Sequence, residues 1–177
     1  MHWYPMRVTY NRELKVKERF DELEIENFLP MRWEVVLDRG DRHRKWVPAI
    51  HNLIFVRSTQ EYITHLKSND PALEPLRYMM RRPLDEEGKA EIITVPDRQM
   101  EHFIHVCNTM SEDQIEYLHY EPFLDKPGQR VRIIDGNFAG VEGVIKRIKK
   151  NRQVVVMIPG VVAVMLNGVP FAWLEKM

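Results

Sequence analysis

The sequence predicts an α+β N-terminal domain, with an antiparallel sheet and flanking helices, followed by a small all-β barrel. Helix and strand patterns alternate over residues 1 to about 110, whereas strand patterns dominate from residue 126 onward. The acidic segment between them contains Pro122 and ends in Asp125-Lys126-Pro127-Gly128, a composition typical of a domain boundary. We therefore expect domains at 1–118 and 126–177, joined by a short linker at 119–125.

The N-terminal domain opens with a strand and a helix. Residues 3–8 alternate well enough for a strand, and Pro5 favours an edge position or a strand start. Asn11 is the predicted N-cap of the helix. Apolar residues then recur at spacings of four and three, at Val16, Phe20 and Leu23.

Three further strand patterns follow. Apolar residues alternate with polar ones over 31–38, and the turn at 38–41 has Gly40 where a positive φ is expected. A strand around Trp46 comes next. Residues 53–56 are continuously apolar, which is typical of a strand covered on both faces.

The rest of the domain continues this mixture. A short helix over 61–66 is expected to end before Asp70-Pro71, and strands are expected over 76–80 and 92–95. Pro96 suits a first helical turn. It opens an amphipathic stretch whose apolar residues are Met100, Phe103, Ile104 and Cys107.

Composition indicates a soluble globular protein. Hydrophobic residues make up 44% of the 177 and charged residues 29%. No apolar run approaches the roughly 20 residues that span a bilayer, and the N-terminus has no signal pattern. Cys107 is the only cysteine, which agrees with a reducing compartment. We expect a cytoplasmic protein without a membrane partner.

The net charge of zero hides two halves of opposite sign. Residues 1–123 carry a net charge of −5 and residues 124–177 carry +5, which favours two partners. Five of the basic residues are expected near a hairpin tip, at Lys146, Arg147, Lys149, Lys150 and Arg152. Such a tip is suited to phosphate contact, and a solvated turn kept soluble by its charges is the alternative.

The sequence gives no support for an enzyme or a cofactor. None of its serines lies in a Gly-x-Ser-x-Gly turn, and no Gly-x-x-x-x-Gly-Lys phosphate loop occurs. The best metal candidates are His102, His105 and Cys107. On one helix Cys107 lies nearly opposite His105, so the three cannot converge on one ion. We expect no metal, no cofactor and no catalytic residue.

The C-terminal half contains a glycine-punctuated strand-turn-strand pattern. Val131 and Ile133 alternate with arginines, and Asp135-Gly136 is a strong turn dipeptide. This segment resembles the KOW motif. The residues that carry the resemblance are Gly136, Phe138 and Gly140 in that order, followed by the closing Gly143-Val144-Ile145. That resemblance implies a small barrel that meets RNA or ribosomal proteins. Any small barrel needs glycines at its corners, and this is the plainer alternative.

Further residues extend the resemblance to nearly the whole chain. The N-terminal half resembles the N-terminal domain of the NusG family of transcription factors. The residues that carry this resemblance are Trp3-Tyr4, Arg7-Val8, Phe28-Leu29-Pro30 and the apolar strand 53–56. Residues 7–13 are closer still to specialised NusG paralogues, the antiterminators of capsular-polysaccharide operons. The chain departs from the family at Ile50-His51-Asn52-Leu53, where a Phe-Pro-Gly-Tyr motif is usual.

The resemblance implies a factor that binds RNA polymerase through its N-terminal domain and reduces pausing or termination. The implied polymerase contacts are Trp3, Tyr4, Arg7, Leu53, Phe55, Thr64 and His65. Trp3 and Phe55 are equally plausible as core residues. The KOW domain would recruit a ribosomal protein, a termination factor or nucleic acid. Its candidate contacts are Arg130, Arg132, Phe138, Lys146, Lys149 and Lys150.

A second hypothesis is an RNA-binding or ribosome-associated KOW protein that does not bind polymerase. In that case, the basic residues of the C-terminal half would contact RNA backbone, and the N-terminal domain would be a scaffold. The two hypotheses differ in where the affinity lies, since only the first places it in residues 1–118.

Overall fold

The computed structural model describes residues 1–81, 89–108, 114–118, 124, 126–148 and 150–177. The chain divides into two compact units, Met1–Asp97 and Arg98–Met177. Most of the expected linker at 119–125 lies outside the described residues. The domain bounds therefore stay a prediction.

The first unit mixes helices and strands. Its described elements are β1 (His2–Val8), α1 (Glu13–Glu22), β2 (Asn27–Phe28), β3 (Met31–Asp38), β4 (Asp41–Pro48), β5 (Leu53–Ser58), α2 (Gln60–Asn69), β6 (Leu76–Tyr78), β7 (Met80–Arg81) and β8 (Glu91–Ile92). The main sheet has the order β2-β5-β1-β6, and its neighbouring strands are antiparallel. The predicted α+β class with an antiparallel sheet and flanking helices is confirmed.

One face of the main sheet forms the core of this unit with the helices. Met6 of β1 and Ile54 of β5 are buried there, together with Val16 and Phe20 of α1 and Ile63 of α2. The four-residue spacing of Val16 and Phe20 keeps both on one side of α1. Full burial of each such side chain contributes about 1.5–3 kcal/mol.

The start of α1 differs from the prediction that Asn11 caps it. Tyr10 and Asn11 have φ of 65° and 51°, in the left-handed region, whereas an N-cap residue needs extended backbone. Arg12 flanks the helix and makes no side-chain capping bond. Glu13 is buried instead, and its Oε1 accepts a hydrogen bond of 2.5 Å from the backbone N of Asn52. The Asn11 cap is therefore wrong.

The next helix, α2, is longer than the predicted 61–66 but ends where expected. Thr59 has extended backbone, and its hydroxyl accepts a hydrogen bond of 3.2 Å from the backbone N of Tyr62. The helix ends at Asn69, before Asp70-Pro71.

Strands β3 and β4 form a separate two-stranded sheet. Their register runs from Met31↔Pro48 to Asp38↔Asp41. The turn between them has Arg39 at φ 49° and Gly40 at φ 95°, so the predicted turn and its positive φ are confirmed. The sequence thus builds a long β-ribbon within the first unit.

The second unit consists mainly of one antiparallel sheet. Its described elements are α3 (Asp97–Cys107), β9 (Ile115–Leu118), β10 (Gln129–Ile133), β11 (Glu142–Ile148), β12 (Asn151–Ile158), β13 (Val162–Leu166), a 3-10 helix (Phe171–Trp173) and β14 (Leu174–Lys176). The strand order is β14-β10-β11-β12-β13-β9. The expected all-β C-terminal region is confirmed.

The connection from β10 to β11 contains the glycines that the sequence singled out. Gly136 has φ 77° and Gly140 has φ 87°. Asp135 Oδ1 accepts a hydrogen bond of 2.7 Å from Gly136 N, and Gly140 N donates one of 2.7 Å to Ile133 O. The Phe138 side chain, which belongs to this connection, is buried. None of the described helices is long and apolar enough to span a membrane.

Candidate partner-binding surfaces

The main sheet has a second face, opposite the helix-packed core. In β1 and β5, Pro5 lies opposite Phe55 and Arg7 lies opposite Leu53. Successive side chains of a strand point to opposite faces, so these residues and Trp3 share one face, whereas Met6 and Ile54 share the other. We call the surface formed by Trp3, Pro5, Arg7, Leu53 and Phe55 the second face.

The structure buries four of the predicted polymerase contacts. Trp3, Leu53 and Phe55 are buried on the second face, and Tyr4 is buried in the core on the helix side. A contact with polymerase requires exposed side chains, whereas the structure agrees with the alternative that Trp3 and Phe55 are core residues. The physical reason is that β1 and β5 are inner strands of the sheet with apolar residues on both faces. Of the five residues of the second face, only Arg7 is exposed.

The two predicted contacts on α2 lie at the surface. The Thr64 hydroxyl is 3.0 Å from the Tyr78 hydroxyl, which itself donates a hydrogen bond of 3.0 Å to Gln60 O. His65 Nδ1 lies 3.2 Å from the side-chain amide of Asn69. Burial raises the pKa of Tyr78. These bonds hold both side chains in place on the exposed side of the helix.

Two predicted contacts in the second unit belong to a cluster of charges around Glu142. Arg132 donates a hydrogen bond of 3.0 Å to Glu142 Oε1, Arg98 donates to the same oxygen, and Arg130 lies 3.7 Å from Oε2. Burial acts to raise the pKa of Glu142, but the Arg132 hydrogen bond and the charge of Arg98 together lower it. The Glu142 side chain is only 15% exposed, whereas that of Arg130 is 66% exposed.

The other predicted contacts of this unit are divided between interior and surface. Phe138 and Lys146 are buried, and Lys146 Nζ donates a hydrogen bond to Lys126 O. Phe138 lies in a turn and Lys146 lies within β11, so neither of these two predicted contacts is exposed. Lys150 is exposed in a turn at φ 71°. Lys149 lies outside the described residues.

The three metal candidates of α3 have separate environments. His102 Nδ1 accepts a hydrogen bond of 3.3 Å from Glu142 N, and burial is the main cause that lowers the His102 pKa. His105 Nε2 lies 3.0 Å from Asn137 O. Burial raises the pKa of the Cys107 thiol to about 12. Within the described part of the chain, no group of three or more His, Cys, Asp or Glu is placed to hold a metal ion.

One exposed surface is not among the predicted partner contacts. Four of the large exposed apolar side chains lie on the β3–β4 ribbon, at Trp33, Val35, Leu37 and Trp46. The sequence contained a signal for them, since the alternation over 31–38 places three on one face of a strand.

Comparison with protein families agrees with this architecture. Residues 1–104 match the family model described as transcription termination factor NusG, and they make up more than half of the chain. The chain belongs to the NusG family. Residues 127–157 of this NusG-family protein also match the KOW motif, which confirms the prediction made from its glycines and Phe138.

A solved structure offers a second comparison. The structure titled as domain interaction in Thermotoga maritima NusG is 21% identical in sequence, with a TM-score of 0.47. The similarity covers 99% of this chain and 97% of that one. No curated protein sequence matches the chain. The resemblance of residues 7–13 to the capsular-operon paralogues stays a prediction.

Proposed function

We propose that this NusG-family protein is a transcription elongation factor or antiterminator that binds RNA polymerase through its first unit and reduces pausing or termination. The family match over residues 1–104 is the observation that carries the proposal. A binding role requires no catalytic group, and a partner of polymerase works in the cytoplasm. A factor that binds the elongating conformation better than the paused one shifts the population toward elongation.

The second face supports a polymerase contact of defined chemistry. Trp3 and Phe55 are aromatic and Leu53 is aliphatic, and aromatic side chains are enriched in the cores of tight protein interfaces. Their side chains are buried in this structure. Contact through them therefore requires a conformation in which the second face is uncovered. Arg7 is the accessible member of this face.

We assign Thr64 and His65 to a second polymerase contact. Both are exposed on α2, and the hydrogen bonds to Tyr78 and Asn69 limit their rotamers. A side chain that is already ordered loses less conformational entropy on binding. In the proposed function these residues bridge to the opposite side of the polymerase cleft.

The KOW region is proposed to recruit a further partner, which is a ribosomal protein, a termination factor or nucleic acid. Arg130 offers an exposed charge at one side of the sheet. At the β11–β12 tip, Arg147 and Arg152 lie directly opposite each other and both are exposed. Like charges in this arrangement destabilise a sheet, so an anionic partner would relieve the repulsion. This observation also favours the second candidate function, an RNA-binding KOW protein.

Charge reversal at Arg7 tests the polymerase contact. Arg7→Glu places an unpaired carboxylate at the interface, so we expect core RNA polymerase to bind the full-length variant about tenfold more weakly. Lys15→Glu is the matched control, since Lys15 is equally exposed but lies on α1, on the other side of the sheet. Binding is measured by surface plasmon resonance on immobilised core polymerase, with circular dichroism to verify folding.

Polymerase binding together with a transcription assay of pausing separates the two candidate functions. The proposal predicts that Arg7→Glu weakens polymerase binding and lengthens pausing, while Lys15→Glu changes neither. If the parent protein binds RNA but not core polymerase, the RNA-binding alternative replaces it. Equal affinities of parent and folded Arg7→Glu for polymerase would remove the second face from the interface.

A further inference from the structure

The hydroxyl of Tyr78 joins the last residue of β6 to the first two turns of α2. It donates a hydrogen bond of 3.0 Å to Gln60 O and lies 3.0 Å from the Thr64 hydroxyl. The Tyr78 ring is half-buried. The Tyr4 ring lies edge-on to it with the centroids 6.0 Å apart, and Lys67 Nζ lies 4.7 Å from its centroid. These contacts hold the Tyr78 hydroxyl at a fixed place beside α2.

The number of protons determines the direction of the bond between the two hydroxyls. A tyrosine hydroxyl carries one proton, and Tyr78 donates this proton to Gln60 O. The Thr64 hydroxyl therefore donates its own proton to the Tyr78 oxygen. In agreement, burial is the larger cause and raises the pKa of Tyr78, whereas the bond from Thr64 acts to lower it. With its proton used, exposed Thr64 presents the lone pairs of its oxygen, which are a hydrogen-bond acceptor.

The same reasoning gives His65 the opposite polarity. The side-chain amide nitrogen of Asn69 can only donate, and it lies 2.7 Å from His65 O and 3.2 Å from His65 Nδ1. Nδ1 is therefore the acceptor, so the neutral ring carries its proton on Nε2. The ring is exposed, and this N–H is the group with which His65 can donate to a partner.

An acceptor and a donor on neighbouring exposed residues fit one kind of partner. The backbone of a protein segment offers both an N–H and a C=O group. Phosphate oxygens of a nucleic acid accept hydrogen bonds, so they suit His65 but leave Thr64 without a donor. A lysine side chain has the opposite defect, because it only donates. The polarity of the pair therefore favours exposed protein backbone over nucleic acid.

We propose that Thr64 and His65 bind an exposed backbone segment of RNA polymerase, which donates a hydrogen bond to Thr64 and accepts one from His65. Tyr78 is the positioning residue that turns the lone pairs of Thr64 outward. This inference rests on the proposed function, which places Thr64 and His65 at a second polymerase contact. It adds the chemistry of the polymerase group and the role of Tyr78, which acts through Thr64 and needs no polymerase contact of its own.

Tyr78→Phe tests the positioning role, because it removes the hydroxyl and keeps the ring. Core RNA polymerase should bind the full-length variant about threefold to tenfold more weakly, since Thr64 is then free to turn its proton outward. Thr64→Val should cost a similar factor, and Tyr78→Phe should add nothing further in the Thr64→Val protein. Ser68→Ala is the matched control. It removes a hydroxyl that donates a bond of 3.0 Å to the backbone O of Thr64 rather than to its side chain, and it should leave the affinity unchanged.

A pair of variants with similar shape tests the polarity of the partner. Glutamine at position 65 can donate a hydrogen bond, whereas an ionised glutamate only accepts. His65→Gln should therefore bind core polymerase within about twofold of the parent, and His65→Glu about tenfold more weakly. Thr64→Ser keeps the hydroxyl and should bind as the parent does.

A measurement without polymerase tests the orientation of Thr64 itself. Three-bond NMR couplings about χ1 of Thr64 should report one rotamer in the parent and averaged rotamers in Tyr78→Phe. Ser68→Ala should keep the single rotamer. Thermal unfolding followed by circular dichroism checks that each variant is folded.

The outcomes separate a failure of this inference from a failure of the proposed function. Averaged Thr64 rotamers in the parent, or parental affinity of Tyr78→Phe, would overturn the positioning role while polymerase binding stands. Additive losses in Tyr78→Phe and Thr64→Val would do the same, because Tyr78 would then act on α2 as a whole. Equal affinities of His65→Gln and His65→Glu would exclude the backbone partner. A parent protein that does not bind core polymerase would overturn the proposed function and this inference together.

Discussion

Two glycines of the β10–β11 turn allow backbone strain to be separated from steric overlap. Gly136 and Gly140 have similar φ, 77° and 87°. A Cβ at Gly140 would meet nothing within 4 Å, whereas a Cβ at Gly136 would lie 2.5 Å from Cζ3 of Trp173. Alanine at either position suffers the same left-handed strain, but only Gly136→Ala collides with a ring.

The expected magnitudes follow from these distances. Left-handed backbone costs a non-glycine residue about 1–2 kcal/mol, which we expect for Gly140→Ala. Overlap with packed atoms adds about 1–3 kcal/mol, so Gly136→Ala should destabilise the second unit by about 2–5 kcal/mol in all. The Trp173 ring is rigid, and the Trp173 backbone O accepts a hydrogen bond of 2.9 Å from Ile134 N. Because this bond holds the Trp173 backbone, relief of the overlap requires the ring to rotate or the turn to shift.

Native-state hydrogen exchange of the β10 amides in the full-length protein measures both variants. Replacing Trp173 by alanine should remove most of the difference between Gly136→Ala and Gly140→Ala, a coupling that a double-mutant cycle quantifies. Equal losses of stability in the two glycine variants would refute the steric argument. So would an unchanged difference after Trp173→Ala.

Two further predictions concern ionisable groups of the second unit. Glu142→Gln should destabilise it by about 1–2 kcal/mol at pH 7, measured by urea unfolding, because the charge-assisted bond from Arg132 is lost. The pKa of Glu142 is lowered on folding, so its stabilisation is present above the usual glutamate range and the difference should vanish as the pH falls below about 4. Cys107, with its pKa raised to about 12, should react with iodoacetamide at pH 8 far more slowly in the native than in the unfolded protein.

Local patterns predicted the fold where one physical requirement determines the residue type. Gly40, Gly136 and Gly140 were expected at sharp turns and have positive φ. Gly143 was also expected at a sharp turn, but it lies within β11. Asn11 shows the limit of this reasoning. Asparagine suits both an N-cap and the left-handed region, so its identity alone does not choose between them.

The candidate sites were harder to predict because exposure depends on contacts distant in sequence. Trp3 and Tyr4 point to opposite faces of β1, and both are buried. Lys146 is basic, but its long stem lies in the sheet while its Nζ reaches Lys126 O. Conversely, alternation at Trp33 and Val35 is typical of a half-buried strand, yet that face is exposed. Periodicity gives the face on which a residue lies, but not whether that face is covered.

The burial of Leu53 also determines which substitution can test polymerase binding. Leu53→Glu would place a charge at a site that is 3% exposed, and an unpaired buried carboxylate destabilises a fold by several kcal/mol. Loss of binding by that variant would therefore report on folding as much as on contact. Arg7 lies directly opposite Leu53 in the sheet and is exposed. A charge reversal there perturbs the same part of the second face without entering the core, so its effect on polymerase affinity can be assigned to the interface.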